Sequence, residues 1–194
     1  MTESTTLEQV LIYHIDKDDR LCDFNAGWSE FARANDGESV MPECVLGRSL
    51  WDFVGDAHVT QIYRQLVGRA RAGHGVEFQY RCDAPDKRRL FKMTITANAE
   101  GVVQFSSRLL WEQVRMRVAL LDARQPRDHH WMRSCSWCQK IKLESDRWEP
   151  VEVAVLQLNL LAGDSLPQLT HGICPDCKAD MLGKFSLPMH QETE

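Results

Sequence analysis

The sequence predicts an α+β fold followed by a small cysteine-rich unit. Three observations lead there. Two short apolar strands precede a stretch of helical periodicity. Three further strand-like segments then follow with hairpin turns between them. Beyond these come two Cys-x-x-Cys pairs, "SCSWCQK" and "HGICPDC". With 194 residues, 43% hydrophobic and 26% charged, the chain can bury one ordinary core and carry a smaller second unit.

The elements are justified in order. "VLIYHID" is a short apolar strand, "DKDD" a turn whose side chains bond their own backbone, and "RLCDFN" the second strand. Asn25 is placed to cap the next helix, "AGWSEFARAND", where Trp28, Phe31 and Ala32 share a face. Gly37 lies in the polar loop beyond, and "VLGRSLWDFVGD" reads as short helical turns. Asp56 caps a longer helix. Its apolar stripe is Val59, Ile62, Tyr63, Leu66, Val67 and Ala70, and Gly73 sits at the expected stop. In "GVEFQYRCD", Val76, Phe78, Tyr80 and Cys82 alternate with Glu77, Gln79, Arg81 and Asp83, so one face is buried. "APDKR" is a turn. "RLFKMTITA" sets Phe91, Met93 and Ile95 opposite Lys92 and Thr94, "NAEG" is a hairpin signal, and "VVQFSSRLL" closes the set.

This order resembles the PAS domain family. The resemblance is carried by "IDKDDRLCDFNAGWSEFARAN", "VLGRSLWDFVGD" and "GHGVEFQYRCDAPDKRRLFKMTITANAEGVVQFSSRL", a little over half of the chain. It implies a five-stranded antiparallel sheet with helices on one face, and a role in signalling through a ligand pocket or dimer contacts. The PAS-like domain is placed at residues 9 to 110. Residues 111 to 131, with Pro126 and its charged neighbours, read as a linker, and 185 to 194 as a flexible tail.

Residues 132 to 184 form the second unit. Cys135, Cys138, Cys174 and Cys177 place two sulfurs on each of two tight turns, and four thiolates suit the tetrahedral, borderline-soft zinc ion. The unit has too few apolar residues to stand without a staple, and metal binding would supply folding free energy. Four protein thiolates fill the coordination sphere, so the zinc is structural. Iron in the same ligand set, or four unligated thiols, are the alternatives. His171 is either a ligand replacing a thiolate, a donor behind the ligands, or an exposed side chain. Between the pairs, "QKIKL" and "RWEPV" read as a hairpin around "ESD". A helix follows in "VEVAVLQLNLLA", with Val153, Leu156, Leu160 and Leu161 on one side, and "DCKADML" runs on as a short helix. The motif also resembles a cysteine-rich tail found after PAS or receiver domains in bacterial signalling proteins. It is carried by Cys135, Trp137, Cys138, Trp148, Pro150, Glu152, His171, Gly172, Cys174 and Cys177. This resemblance implies a signalling protein rather than a reaction.

Several functions find little footing. "MTESTTLEQV" lacks the features of a signal peptide, and no apolar run reaches the ~20 residues of a membrane span, so a cytoplasmic location without membrane contact is expected. In that reducing compartment Cys22, Cys44 and Cys82 read as small core hydrophobes rather than disulfide partners. The N-C-R-F-L-Q motif by which photoactive flavin domains resemble one another is missing near Cys44. His58 and His74 lie at helix ends, where histidines serve as caps more often than as heme ligands. Trp28, Trp51, Phe53, Tyr63 and Tyr80 either line a pocket for an unidentified small ligand or fill an ordinary core. Arg124, Arg127, Arg133, Lys140, Lys142 and Arg147, with His129 and His130, are offset by Glu144, Asp146, Glu149 and Glu152, and the net charge is -5. A mixed solvated surface is therefore expected rather than a nucleic-acid interface. No kinase, phosphate-loop or triad motif is present, and no catalytic residue is expected. The expected role is a sensory module with a protein partner and room for a homodimer. A thiol and zinc redox switch is the alternative, and a zinc-ribbon nucleic-acid regulator the second.

Overall fold

The structure is a computed structural model that describes residues 10–160 and 165–187. Residue 9, Leu161 and residues 188–194 of the expected tail lie outside the described residues. The first half is a five-stranded antiparallel sheet in the order β2-β1-β5-β4-β3. Its strands are β1 Val10–Ile15, β2 Leu21–Phe24, β3 Val76–Arg81, β4 Lys87–Ala97 and β5 Val103–Val114. The helices α1 Ala26–Ala34, α2 Pro42–Val45 and α3 Ala57–Arg71 lie between β2 and β3 in the chain.

Local chemistry accounts for these elements. Asn25 Oδ1 accepts from Trp28 N at 2.9 Å, and also from Ile12 N, while its amide donates to Val10 O. One side chain thus caps α1 and ties it to β1. Asp56 Oδ1 accepts from His58 N and Val59 N at 3.0 Å and starts α3. The α3 stripe of Val59, Ile62, Leu66, Val67 and Ala70 is buried against Val76, Phe78, Met93, Ile95, Val103 and Phe105 from the sheet. Gly73 adopts a φ of +84° just past the helix, as a stop requires. Near the start of α1, a Cβ on Gly27 would stand 2.5 Å from Val10 O, so the helix approaches β1 more closely than any side chain allows.

The second half is a four-stranded sheet in the order β8-β7-β6-β9. It comprises β6 Arg127–Cys135, β7 Ile141–Lys142, β8 Trp148–Glu149 and β9 Leu166–Gly172. The hairpin expected around "ESD" is the β7–β8 pair, Ile141 against Glu149 and Lys142 against Trp148. Helix α4 is Val151–Gln157, and α5 is Pro175–Phe185.

Four expectations need correction. Segment 111–131 is structured at both ends, because β5 runs to Val114 and β6 begins at Arg127. Between them Leu120 is fully buried in a second small core with Ile141, Val151, Ala154 and Leu166. Phe185 and Leu187, assigned to a tail, are buried in the main core. Helix α4 turns Val151, Ala154 and Val155 inward; of the expected face Val153, Leu156, Leu160 and Leu161, Leu160 packs against the second core but Leu156 is 75% exposed. Cys22 and Cys44 are exposed, so they are not core-filling residues, whereas Cys82 is partly buried.

The two halves share one hydrophobic core. Cys135, Trp137, Cys174, Met181, Phe185 and Leu187 pack with the residues of α3 and β3. Trp137 lies 5.7 Å from the Tyr63 ring and 6.2 Å from the Phe78 ring, centroid to centroid, and its carbonyl accepts from Arg81 N at 2.7 Å. A charged lock adds to the seam: Glu152 of α4 accepts from Arg88 of β4 and from Arg115, which also pairs with the wholly buried Asp83 carboxylate. No helix among the described residues is long and apolar enough to cross a membrane.

Candidate metal centre

Strands β6 and β9 run parallel, and their pairing sets Ser134 beside His171 and Cys135 beside Gly172. Both strands therefore end side by side, and each gives way to a Cys-x-x-Cys turn. The first turn is closed by Gln139 N donating to Cys135 O at 3.0 Å and by Cys135 N donating to Lys140 O at 2.8 Å. Gln139 takes the left-handed conformation, φ +61°. The second turn runs straight into α5: Cys174 is its N-cap, Pro175 its first residue, and Cys177 lies in its first turn. Ser136 N donates to Gly172 O at 2.9 Å and clasps one turn to the other strand.

This brings the sulfurs of Cys135, Cys138, Cys174 and Cys177 within 4.8 Å of one another. Cys138 Sγ and Cys174 Sγ are 3.7 Å apart. A tetrahedron with metal–sulfur arms of ~2.3 Å has edges of about 3.8 Å. Four cysteines in this arrangement could hold a metal ion. Backbone amides support the charge such sulfurs would carry: Cys174 N donates to Cys135 Sγ and Cys177 N to Cys174 Sγ, both at 3.4 Å. The first turn of α5 adds its partial positive end.

Cys135, Cys138 and Cys177 perturb one another. Hydrogen bonds from Cys138 and Cys177 pull the Cys135 thiol far below its usual range, and the same contacts push Cys138 and Cys177 up. Four thiols this close cannot all ionise alone; a dication supplies the charge that lets them do so. None of the seven cysteines forms a disulfide.

His171 is not one of the four convergent ligands. Its residue is exposed, on β9 beside Ser134, and desolvation of the ring lowers its pKa. The basic residues around the first pair are largely matched. Arg124 pairs with Asp122 and Asp36, Lys140 with Asp176, Lys142 with Asp146, and Arg147 with Glu149. Arg127 directs its guanidinium to the carbonyls of Leu120, Asp122 and Pro167.

A cavity of about 580 Å³ opens between the helices of the first half and β9. Of the aromatic residues expected around a pocket, Trp28, Phe53 and Tyr63 line it. Trp51 and Tyr80 do not. Trp51 lies under the Arg64 guanidinium and donates to Asp19, and Tyr80 donates to Ser107. Sequence reasoning missed Ser136, Leu169, Thr170 and His171 in the same wall, all from the cysteine unit. The sequence marks His171 only as a neighbour of the cysteines and does not mark the other three, since the packing of the two halves brings them there.

No family model matches the chain, and no curated protein matches it. Among solved structures, a domain of an HTR-like protein from Haloarcula marismortui is similar over 53% of this chain and 99% of its own, with 13% identity and a TM-score of 0.38. The PAS domain of the RpfR quorum-sensing receptor from Cronobacter turicensis, in complex with C12:0, is similar over 55% of this chain and 99% of its own, with 16% identity and a TM-score of 0.39.

Proposed function

We propose that the chain is a sensory module without catalytic activity of its own, in which a PAS-like domain receives a small ligand or mediates dimer contacts. The Cys135, Cys138, Cys174 and Cys177 unit holds a structural zinc ion and presents a surface to a signalling partner protein. The observation that carries this reading is the convergence of four thiols at the seam of the two halves. A closed four-sulfur sphere leaves no position for an activated water, which favours structure over catalysis. The antiparallel sheet with helices between its second and third strands supports the PAS-like assignment, and the cavity beside α3 supports ligand binding. The matched basic residues favour a protein partner over nucleic acid.

The test is elemental analysis of the purified full chain with spectra for bound cofactors. One zinc per chain, lost in Cys135→Ser and Cys174→Ser, is the expected result. A wild-type chain that carries no metal, or a metal content and near-ultraviolet circular dichroism spectrum unchanged by either substitution, would refute the zinc assignment.

A further inference from the structure

The cavity of about 580 Å³ has walls from both halves. One wall is Tyr13, Trp28 and Tyr63 from the first sheet and its helices; the other is Ser136, Thr170 and His171. Ser136 lies between Cys135 and Cys138 in the first metal turn. Thr170 and His171 lie on β9 immediately before Gly172, four and three residues from Cys174. The same two backbone segments therefore supply the sulfurs and the wall. A second link runs through the core, since Trp137, inside the first turn, packs against Tyr63, which lines the cavity.

The lining also restricts what enters. Among the described residues it contains the carboxylates Asp52 and Asp56 and no lysine or arginine. An anion buried there would meet two carboxylates and, as basic group, the His171 imidazole alone, at a cost of several kcal/mol. The rest is chiefly apolar and aromatic, with hydroxyls at Ser136 and Thr170.

We propose that this cavity takes an uncharged, mainly apolar small molecule and that its occupancy is coupled to metal binding at the four cysteines, each tightening the other. The inference rests on the zinc-bearing sensory reading above. Metal fixes the two turns and so completes the wall; a molecule against the wall orders the two turns and so favours the metal-binding arrangement. Linkage makes the effect reciprocal.

The test uses the full-length zinc protein and N-phenylnaphthylamine, an uncharged fluorophore. Anilinonaphthalene sulfonate, the same ring system with a negative charge, is the control. Saturable binding of the neutral probe, at least tenfold tighter than the sulfonate, is expected. In competition with a chromogenic chelator, saturating neutral probe is expected to raise the apparent zinc affinity by about tenfold. Thr170→Phe fills the cavity from the β9 side and Val40→Phe from the opposite side. Either variant that retains one zinc is expected to lose both probe binding and its effect on zinc. A stoichiometric zinc protein that binds no neutral probe, or binds it with zinc affinity changed less than twofold, overturns the coupling and leaves the zinc reading standing. A protein without zinc overturns both.

Discussion

Trp137 offers the sharpest measure of how firmly the two halves are joined. Its residue is only 5% exposed, between the cysteines of the first pair and against Tyr63 and Phe78. A tryptophan buries roughly 200 Å², and at about 25 cal/mol per Å² that is ~5 kcal/mol of apolar transfer. The indole Nε1 is buried and has no hydrogen-bond partner among the described residues. An unpaired buried donor costs ~1–3 kcal/mol. Trp137→Ala is therefore expected to destabilise the protein by about 3 kcal/mol, and Trp137→Phe, which keeps most of the ring and removes the unpaired N–H, by less than ~1 kcal/mol. Urea unfolding followed by far-ultraviolet circular dichroism at fixed zinc reads both. With a slope of ~2 kcal/mol per M, the alanine variant should move the midpoint by about 1.5 M. Both halves should melt in one transition. A midpoint moved by less than ~0.3 M, or a first transition confined to the cysteine unit, would show that the shared core contributes little.

Other expectations follow from the same contacts. Cys177→Ser removes one of four sulfurs within 4.8 Å, and plasma emission spectrometry is expected to find zinc well below one per chain after dialysis against a weak chelator. Gly27→Ala sets a Cβ against Val10 O at 2.5 Å, a clash with backbone expected to cost about 2 kcal/mol in the same urea assay; a neutral result would mean that α1 shifts freely. For Glu152, burial raises the carboxyl pKa, but hydrogen bonds from Arg88 and Arg115 outweigh it and hold the pKa below 4.5. That contribution is present above the unfolded pKa and is lost as pH falls through the lower folded value. Glu152→Gln should thus cost about 1 kcal/mol at pH 7, given its partial exposure, and the gap to wild type should close in acid. A gap that is constant with pH would deny the ion-pair network its role.

The sequence made the strands and helices of the first half legible because their periods are regular and their caps are local. Asn25 and Asp56 sit one residue ahead of the helices they cap, and the α3 stripe is read directly from spacing. The four thiols were legible because each turn is a local motif, even though 36 residues separate Cys138 from Cys174. What the sequence hid was how the two halves meet. Pro126 and the charged run suggested a linker, yet Leu120 and Arg127 are anchored by groups from β9 and the second core. The outward Leu156 was misread because a seven-residue helix gives periodicity little to work with. Its inner face is set by tertiary contact with Ile141 and Leu166 instead.

Strand β3 is the outermost strand of its sheet, and Trp137 accepts the amide of Arg81 there. An uncovered rim of this kind invites a foreign chain to add itself, strand by strand. The cysteine unit covers the Arg81 end of this rim. A shortened chain ending before residue 132 would leave Phe78 and Tyr63 without the Trp137 ring against them, and with them a sticky margin prone to self-association.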